Sequence, residues 1–388
     1  MSRFSCAFLL LFALSTASAQ TRYLISTIAG SNPLGDGGPA AQGLLWNPLD
    51  VAADANGNIY IADTDNNLIR RISGGVITTY ACNGQPGHSG DGGPALQAEC
   101  YNPAGIAVDS AGNLYFSDSF NNCVRRVSSD GVISNYAGNG ELGYGGDGGP
   151  ASFASLNQPR GLAVDKSGNL HVADSYNRRI RRVRPTGIID TVAGTGTMGA
   201  TGDGGPAVKA TFMMPVAVAV DVSGNILAAD GYYNGRVRRF SPGGNITTFA
   251  GGGPLTDPLT YTGFGASVTL WYPQGLAVDG KGSVYIALGN STVVVVNSGI
   301  VGFFAGVIGT SGAYGGDDAS ATMAYFNNPH GLAADAAGNL YIADSANHRI
   351  RLVATNAIVT TLAGYGHFAG DFGPATSAVL SSPSFLAL

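Results

Sequence analysis

The sequence predicts an all-β fold built by repeating one unit. A segment close to Asn-Pro-x-Gly-Leu-Ala-Val-Asp-x-x-Gly-Asn-Leu-Tyr-Ile-Ala-Asp recurs through the 388 residues, and its proline returns at intervals of about 56 residues. A fixed period of this length indicates that one supersecondary unit is copied and packed against itself. Short runs rich in Val, Ile and Tyr alternate with Gly, Asn and Pro, which is the pattern of strands joined by hairpins. No run has a 3.6-residue period long enough for a helix.

Each unit is predicted to be a four-stranded antiparallel meander. In the third copy the four runs are residues 161–165, 170–174, 179–183 and 188–193. The first run is small and apolar on both faces, as expected of a strand near a crowded axis. The third run carries arginines in alternation, which is typical of a strand with one face in water. These arginines are Arg70, Arg125, Arg181, Arg238 and Arg351.

Strands graded from an apolar interior to a charged exterior predict the blades of a β-propeller, a fold that usually has about 4–8 blades of four strands. Six full units begin near residues 47, 102, 158, 214, 272 and 328. We therefore expect six blades in a single domain that spans residues 20–388. Lone strands at 24–30 and 382–388 leave a seventh, incomplete blade position as the alternative.

These motifs, together with Asn-x-Arg-Ile-Arg in the third strand, resemble the NHL repeat family of β-propellers, in particular its secreted, bacterial-type members. The resemblance covers essentially everything after residue 20. It implies a six-bladed propeller. Members of the family include secreted lyases and hydrolases, extracellular sensor domains of kinases, and modules that bind protein or RNA, so the resemblance predicts the architecture far better than the activity.

Residues 1–19 have the pattern of a secretory signal peptide. A basic residue, Arg3, precedes an apolar stretch at 4–14, and Ala17-Ser18-Ala19 precedes Gln20. We therefore expect the mature chain to be secreted or periplasmic. No other segment approaches the 18 or so apolar residues that a membrane span needs.

The charge balance argues against a nucleic-acid partner. The formal net charge is −5, whereas a protein that binds the phosphate backbone presents a basic face. We expect the partner to be a protein, a peptide or a glycan.

Three cysteines remain after the signal peptide: Cys82, Cys100 and Cys123. An odd number in an oxidising compartment predicts one disulfide and one free thiol. Pairing of Cys82 with Cys100 would staple an interblade loop, and pairing of Cys100 with Cys123 is the alternative. No cysteine is expected beside a histidine, so a catalytic thiol is not predicted.

Two aspartate motifs are predicted to lie on one face of the propeller. Ala-Asp-x-x-Asn follows the second strand, and Gly-Asp-Gly-Gly-Pro-Ala lies in the loop between blades. We expect each aspartate to hold its own turn through backbone N–H groups. Calcium is the competing interpretation, but the spacing matches no calcium loop. No metal site or cofactor is therefore predicted.

The residue after each repeat proline is expected to point into the mouth of the central channel. Around the ring these residues are Leu49, Ala104, Arg160, Val216, Gln274 and His330. The copies disagree here, as residues that contact a ligand would, and Asp50 replaces the repeat glycine. We take Arg160, Gln274 and His330 as candidate ligand-binding residues, and His330, Arg160 and Asp50 as candidate catalytic residues. A solvated rim with no ligand is the alternative.

Aromatic residues precede the repeat proline in several copies. Trp46, Tyr101 and Trp271 occupy this position. Flat apolar rings at a channel mouth can stack on a sugar or hold a peptide, so these three residues are further ligand-binding candidates. Packing between blades is the alternative interpretation.

The fifth copy departs most from the others. Its aspartate is replaced by Leu288, its arginine strand reads Val293-Val294-Val295-Val296, and the preceding loop has Pro254, Pro258 and Tyr261 in place of the aspartate motif. An apolar outer strand of this kind predicts contact with a partner, a terminal segment or a second copy.

The sequence favours a binding or scaffold module over an enzyme. Of the five histidines, only His330 falls on the ring at the channel mouth, so a zinc site made of three histidines is not predicted. A lyase or lactone hydrolase with its site at the channel mouth is the alternative.

Overall fold

The computed structural model describes residues 34–231, 235–253, 263–309 and 313–365. Within these ranges the chain forms six antiparallel blades, and the only helical segments are 3₁₀ turns of three residues. Blades 1 to 3 contain β1 (Pro48–Ala53), β2 (Ile59–Asp63), β3 (Leu68–Ser73), β4 (Val76–Ala81), β5 (Pro103–Val108), β6 (Leu114–Asp118), β7 (Cys123–Val127), β8 (Ile133–Ala137), β9 (Pro159–Val164), β10 (Leu170–Asp174), β11 (Arg179–Val183) and β12 (Ile189–Ala193).

Blades 4 to 6 follow the same order, except that blade 5 gains a two-residue edge strand, β17. They contain β13 (Pro215–Val220), β14 (Ile226–Asp230), β15 (Arg236–Phe240), β16 (Ile246–Gly251), β17 (Gly263–Phe264), β18 (Pro273–Val278), β19 (Val284–Leu288), β20 (Thr292–Asn297), β21 (Ile300–Gly306), β22 (Pro329–Ala334), β23 (Leu340–Asp344), β24 (Arg349–Val353) and β25 (Val359–Ala363). The predicted meander of four consecutive strands is confirmed.

The six blades close into a ring. The inner strand of blade 6, β22, packs against the inner strand of blade 1, β1, as the inner strands do at the other interfaces. Ser345 Oγ donates to the Pro48 carbonyl across this interface at 2.5 Å, as Ser119 Oγ donates to the Pro159 carbonyl at 2.5 Å. The six-bladed prediction is confirmed. The lone strands at 24–30 and 382–388 and the signal peptide lie outside the described residues.

Glycines after the ring position allow the inner strands to approach one another. A Cβ on Gly105 would lie 2.2 Å from the Arg160 carbonyl oxygen, and one on Gly275 would lie 1.9 Å from the His330 carbonyl oxygen. Contacts this short exclude a side chain, so the repeat glycine is required by packing. Two blades depart from this rule: Ala217 stands at this position in blade 4 and Asp50 in blade 1.

The repeated arginines are buried, which corrects the expectation of a third strand with its arginines in water. The Arg181 side chain is 0% exposed; its Nη2 lies 2.7 Å from Asp147 and its Nη1 lies 3.2 Å from Asp174. The two aspartate motifs therefore meet on one guanidinium, although Asp174 also holds its turn by accepting the Asn157 N–H. Equivalent clusters are Arg70 with Asp36 and Asp63, Arg125 with Asp91 and Asp118, and Arg351 with Asp317 and Asp344.

We call this three-residue cluster the arginine clamp. In β11 the clamp residue Arg181 points into the blade, whereas Arg182 points outward and pairs with Asp190 at 2.7 Å. Two consecutive arginines thus occupy opposite faces of one strand. In blade 4, Arg238 pairs with Asp203 at 2.6 Å. The clamp fixes the interblade loop to the blade that follows it.

Blade 5 has lost the clamp as a unit. Leu288 and Val294 occupy the positions of the second-strand aspartate and the arginine, and both are 0% exposed. Val293, Val294 and Val296 of β20 are buried in the cores that blade 5 shares with its neighbours, so the prediction of an outer contact surface on this strand is wrong for them, and Val295 is half-buried. An apolar set has replaced a buried ion cluster, an exchange that proteins tolerate well when all partners change together. Most of the preceding loop, residues 254–262, lies outside the described residues.

The disulfide joins Cys82 and Cys100, with a Cα–Cα distance of 5.8 Å, and Cys123 is free and buried. This settles the pairing that the sequence left open. Cys82 has a φ of 68°, and glycine occupies the same position in blades 3 and 5, where a Cβ on Gly194 or Gly306 would lie 3.2 Å from the ring of Phe212 or Phe326. The two cysteines therefore stand at the positions that a glycine and a phenylalanine occupy in blades 3 and 5.

Candidate functional site

One face of the propeller carries the long loops. Each inner strand begins where the second strand ends, as shown by the pairing of Pro159 with Asp174. The 3₁₀ turns after the second strands and the interblade loops therefore lie on the same side, which we call the loop-rich face. The opposite face carries tight turns such as residues 166–169.

The ring residues surround one cavity on the axis. The cavity has a volume of about 80 Å³ and is lined by the inner strands of all six blades. The predicted residues on its wall are Leu49, Asp50, Ala104, Arg160, Val216, Gln274 and His330. It has room for several waters or a small polar group, but it is smaller than the roughly 300–1,000 Å³ of drug-sized ligand pockets.

Three polar side chains form a chain of hydrogen bonds on one side of the cavity. Gln274 Nε2 donates to Asn328 Oδ1 at 2.8 Å, and Asn328 Nδ2 lies 3.2 Å from His330 Nε2. Burial, together with the positive charge of Arg160, lowers the pKa of His330 to about 3. The imidazole is therefore neutral near pH 7, and its Nε2 accepts the amide proton.

Asp50 is held on the other side by backbone N–H groups of two blades. Its Oδ1 accepts from Val51 and its Oδ2 accepts from Ile106, both at 2.9 Å. Burial raises the pKa of Asp50 to about 7 despite these two hydrogen bonds, which lower it. This carboxyl group therefore gains or loses a proton near neutral pH. Its side chain fits because Gly331 faces it, where a Cβ would lie 2.0 Å from Oδ1.

Arg160 is a cation on the cavity wall. Its side chain makes no hydrogen bond or salt bridge among the described residues, although Asp50 lines the same cavity. With His330 neutral and Asp50 partly protonated near pH 7, the cavity carries a net positive charge. This charge favours an anionic or strongly polar group.

Two of the other described histidines, His171 and His348, have structural positions. His171 Nε2 lies 3.0 Å from Asp165 Oδ2 and replaces a tyrosine hydroxyl that makes the same contact in other blades, as Tyr115 does with Asp109. His348 Nδ1 accepts the Asn47 N–H at 3.0 Å across the closing interface. His367 lies outside the described residues.

The predicted aromatic residues differ in exposure. Trp46 and Tyr101 are each 42% exposed on the loop-rich face. Trp271 is half-buried, with an indole N–H that finds no acceptor among the described residues, so its position agrees better with packing between blades. Next to it Tyr272 is exposed.

Sequence reasoning missed two exposed rings on this face. Phe120 meets Tyr101 edge to face at a centroid distance of 5.0 Å, and Tyr176 is exposed at the equivalent position of the next blade. Both occupy a variable position of the Ala-Asp-x-x-Asn motif. Comparing the copies at that position would have revealed them.

The opposite face has a larger cleft, about 460 Å³ in volume, between the turns of blades 3, 4 and 5. Its wall includes Asp165, Asp221 and Asp279. Each of these carboxylates accepts hydrogen bonds within its own turn; Asp165 Oδ1, for example, accepts from Ser167 and Asn169 at 2.9 Å. The acidic groups therefore stabilise turns.

The expectation that no cysteine lies beside a histidine is wrong. The ligand atoms of His88, Asp118 and Cys123 all lie within 4.8 Å of one another. The burial of Cys123 and the nearby Asp118 carboxylate raise the pKa of the thiol well above its usual value. The histidine comes from an interblade loop, and its approach to β7 has no signal in the local sequence.

Comparison with known proteins agrees with the repeat pattern. A family model described as the teneurin NHL domain matches residues 80–145 and 139–201, and one described as the NHL repeat matches 45–72, 212–240 and 326–351. Teneurin-1 from Homo sapiens is 27% identical over 358 residues, which cover 82% of this chain and 12% of teneurin-1. The chain thus spans about an eighth of the length of this relative.

Two solved structures share the fold. A structural genomics protein of unknown function from Bacteroides thetaiotaomicron VPI-5482 has a TM-score of 0.60 and 20% identity, covering 84% of this chain and 74% of that one. A streptogramin B lyase has a TM-score of 0.52 and 13% identity, covering 88% and 86%. At identities this low, the similarity shows a shared fold and says nothing about function.

The fold and its tandem modules define a six-bladed β-propeller. The chain belongs to the NHL-repeat β-propellers, and the resemblance seen in the sequence is confirmed. Across the described residues, no helix has the length and apolar character needed to cross a bilayer.

Proposed function

We propose that this chain is a secreted binding module whose loop-rich face holds a peptide or a segment of a partner protein. The observation that carries the proposal is the group of exposed apolar side chains on that face. Trp46, Tyr101, Phe120 and Tyr176 come from blades 1, 2 and 3, which are neighbours in the ring, and each is between 42% and 46% exposed. Exposed rings arranged over neighbouring modules are typical of binding surfaces.

A peptide is favoured over a glycan because the same face also exposes aliphatic and thioether side chains. Leu142 and Met198, in interblade loops that pair with Leu156 and Phe212, are 68% and 63% exposed. Sugar rings stack on aromatic faces, whereas branched aliphatic and methionine side chains suit the irregular apolar surface of a protein. The positive axial cavity beneath this face would accept an acidic side chain or a carboxylate of the peptide.

The proposal is tested with a peptide-display library selected on the purified mature chain, with a glycan array as the competing arm. Affinities of the selected peptides are then compared for the wild type, the double variant Tyr101→Ser/Phe120→Ser and the control Val222→Ser. Val222 is 50% exposed in a tight turn on the opposite face. Loss of an aromatic hot spot should weaken binding about 30-fold or more in the double variant and leave the control unchanged.

Two outcomes would contradict this function. Peptides that bind the double variant as tightly as the wild type would place the site elsewhere. Binding of glycans with no selected peptide would contradict the ligand class.

An enzyme is the second candidate, favoured by one specific observation. Asp50, with a pKa raised to about 7, shares a cavity with a neutral His330 and with Arg160. A general base is most effective when its pKa lies near the working pH. As a lyase or lactone hydrolase, the chain would show a turnover rate that rises with pH near pH 7. Asp50→Asn would abolish this rise. Absence of turnover on a panel of lactones and cyclic esters would favour the binding module.

A further inference from the structure

His88, Asp118 and Cys123 lie together at the edge of blade 2. His88 is exposed on the interblade loop, Asp118 ends β6 and Cys123 begins β7. A nitrogen, an oxygen and a sulfur ligand atom lie within 4.8 Å of one another. We propose that these three residues form a zinc site, which has no counterpart in the described parts of the other blades.

Comparison of the blades shows that two of these residues replace a matched pair. In blade 3 the Arg179 guanidinium lies 3.5 Å from the centre of the Tyr144 ring, and in blade 6 Arg349 lies 3.8 Å from that of Tyr314. His88 occupies the position of Tyr144, three residues before the loop aspartate, and Cys123 occupies the position of Arg179, first in the third strand. A cation–π contact has thus been exchanged, at both positions, for an imidazole and a thiol.

The ligand set matches the chemistry of zinc. Zn²⁺ binds thiolate sulfur, imidazole nitrogen and carboxylate oxygen in a tetrahedral arrangement with bond lengths of about 2.0–2.3 Å. Atoms within 4.8 Å of one another reach that geometry by a small movement of His88, the exposed member, whose ring has no hydrogen-bond partner among the described residues. The fourth position is left for water, since no further His, Cys, Asp or Glu of the described chain joins the group.

The charges around His88, Asp118 and Cys123 are compatible with a bound Zn²⁺ ion. A thiolate and the Asp118 carboxylate neutralise Zn²⁺, while the adjacent Arg125 is paired with Asp91 at 2.9 Å. Asp118 Oδ1 accepts the Tyr101 N–H at 2.7 Å and Oδ2 lies 3.4 Å from Arg125 Nη1. The Asn121 side chain is a third hydrogen-bond partner of this carboxylate. A carboxylate has about four lone-pair sites, so these three contacts leave one for a metal. The Asn121 side chain, which donates to the Gly87 carbonyl at 2.7 Å, positions the loop that carries His88.

The experiment is a Zn²⁺ titration of the untagged, disulfide-oxidised chain by calorimetry, after removal of metal with a chelator. Cobalt(II) is a second probe, because thiolate ligation gives it a charge-transfer absorption band. We expect about one equivalent to bind, with the thiolate band present. His88→Tyr/Cys123→Arg rebuilds the pair of blade 3, should fold, and should lose binding. Cys123→Ser should weaken binding by at least about tenfold and remove the band.

A gain-of-function variant serves as the matched control. Tyr144→His/Arg179→Cys places the same side chains beside Asp174 in blade 3 and should add about one further equivalent. Failure of the wild type to bind zinc, or unchanged binding by His88→Tyr/Cys123→Arg, would overturn the proposal. A folded Tyr144→His/Arg179→Cys variant with no second ion would overturn its geometric basis.

Discussion

At the residue scale, Asp50 combines a structural departure with an unusual chemical property. Every other blade has glycine or alanine at this position, because the neighbouring inner strand lies in contact with the Cα atom of that residue. The carboxyl group occupies the space between β1, β5 and Gly331, where burial keeps it from water. Its protonation is therefore coupled to folding.

Asp50→Asn is predicted to flatten part of the pH dependence of stability. The pKa of Asp50 is raised from 3.8 to about 7 in the folded chain, so the folded state binds the proton more tightly than the unfolded state does. The stability that Asp50 contributes is present below about pH 4 and falls as the pH rises to about 7. The full difference is on the order of 4 kcal/mol. Urea unfolding from pH 4 to pH 8 measures it.

The difference between the wild type and Asp50→Asn isolates this residue from the other buried aspartates. Burial also raises the pKa values of Asp174, Asp230 and Asp344, to about 6, and these groups titrate in both proteins. Parallel stability curves for the two proteins from pH 4 to pH 8 would show that Asp50 is hydrated in solution.

Single residues were predicted unevenly from the sequence. The ring positions could be found because a strict repeat places each residue after its proline at the same depth in the fold. The burial of Arg181 could not, because its partner Asp147 lies 34 residues away and no local pattern reports that contact. The same limit hid His88, which lies 35 residues before Cys123 and reaches it only through the path of the interblade loop.

At the scale of the element, the arginine clamp explains why the two aspartate motifs recur together. Each guanidinium also donates to loop carbonyls, as Arg181 Nη2 does to Gly145 at 3.0 Å. The loop is therefore held by one side chain from the third strand, and blade 5 shows that the whole set is exchanged at once. A buried ion cluster depends on every partner being present.

Arg181→Val is predicted to destabilise the chain by about 3–5 kcal/mol, since it leaves Asp174, which is 0% exposed, without its cation. Adding Asp174→Leu reproduces the apolar pair of blade 5 and should recover part of this loss. The outward-facing Arg182→Val is the matched control and should cost no more than about 1 kcal/mol. Urea midpoints at constant slope measure all three.

A double variant less stable than Arg181→Val alone would contradict this view. It would mean that replacing the arginine and the aspartate by apolar residues is not enough to explain the stability of blade 5. Asp174→Leu also removes the acceptor of the Asn157 N–H, so the double variant is not expected to recover the whole loss of stability.

At the scale of the whole molecule, the ring of described residues closes with every blade built from its own strands. Each blade consists of consecutive strands, and the interface between blades 6 and 1 uses the same serine–carbonyl hydrogen bond as the interface between blades 2 and 3. This architecture could be predicted almost completely, because six near-identical units in tandem allow few other arrangements. The closing contact itself involves residues 297 apart, which the repeat implies but does not specify.

Ser345→Ala and Ser119→Ala are predicted to lower the stability by equal amounts of about 1 kcal/mol. Each variant removes one buried donor to a proline carbonyl, one at the closure and one inside the ring. Equal shifts in chemical unfolding would show that the ring unfolds as one unit. No loss for Ser345→Ala, with a clear loss for Ser119→Ala, would indicate a ring that stands open in solution.

The disulfide between Cys82 and Cys100 has a further consequence for a chain of such similar modules. During folding, a strand from one module is chemically almost equivalent to its counterpart in the next, so wrong partners compete with right ones. Among the described residues, the disulfide lies at one junction and the valines replace the charged cluster in one blade, so these blades differ from the others. Such departures from the repeat reduce the number of equivalent strand pairings that can compete while the chain folds.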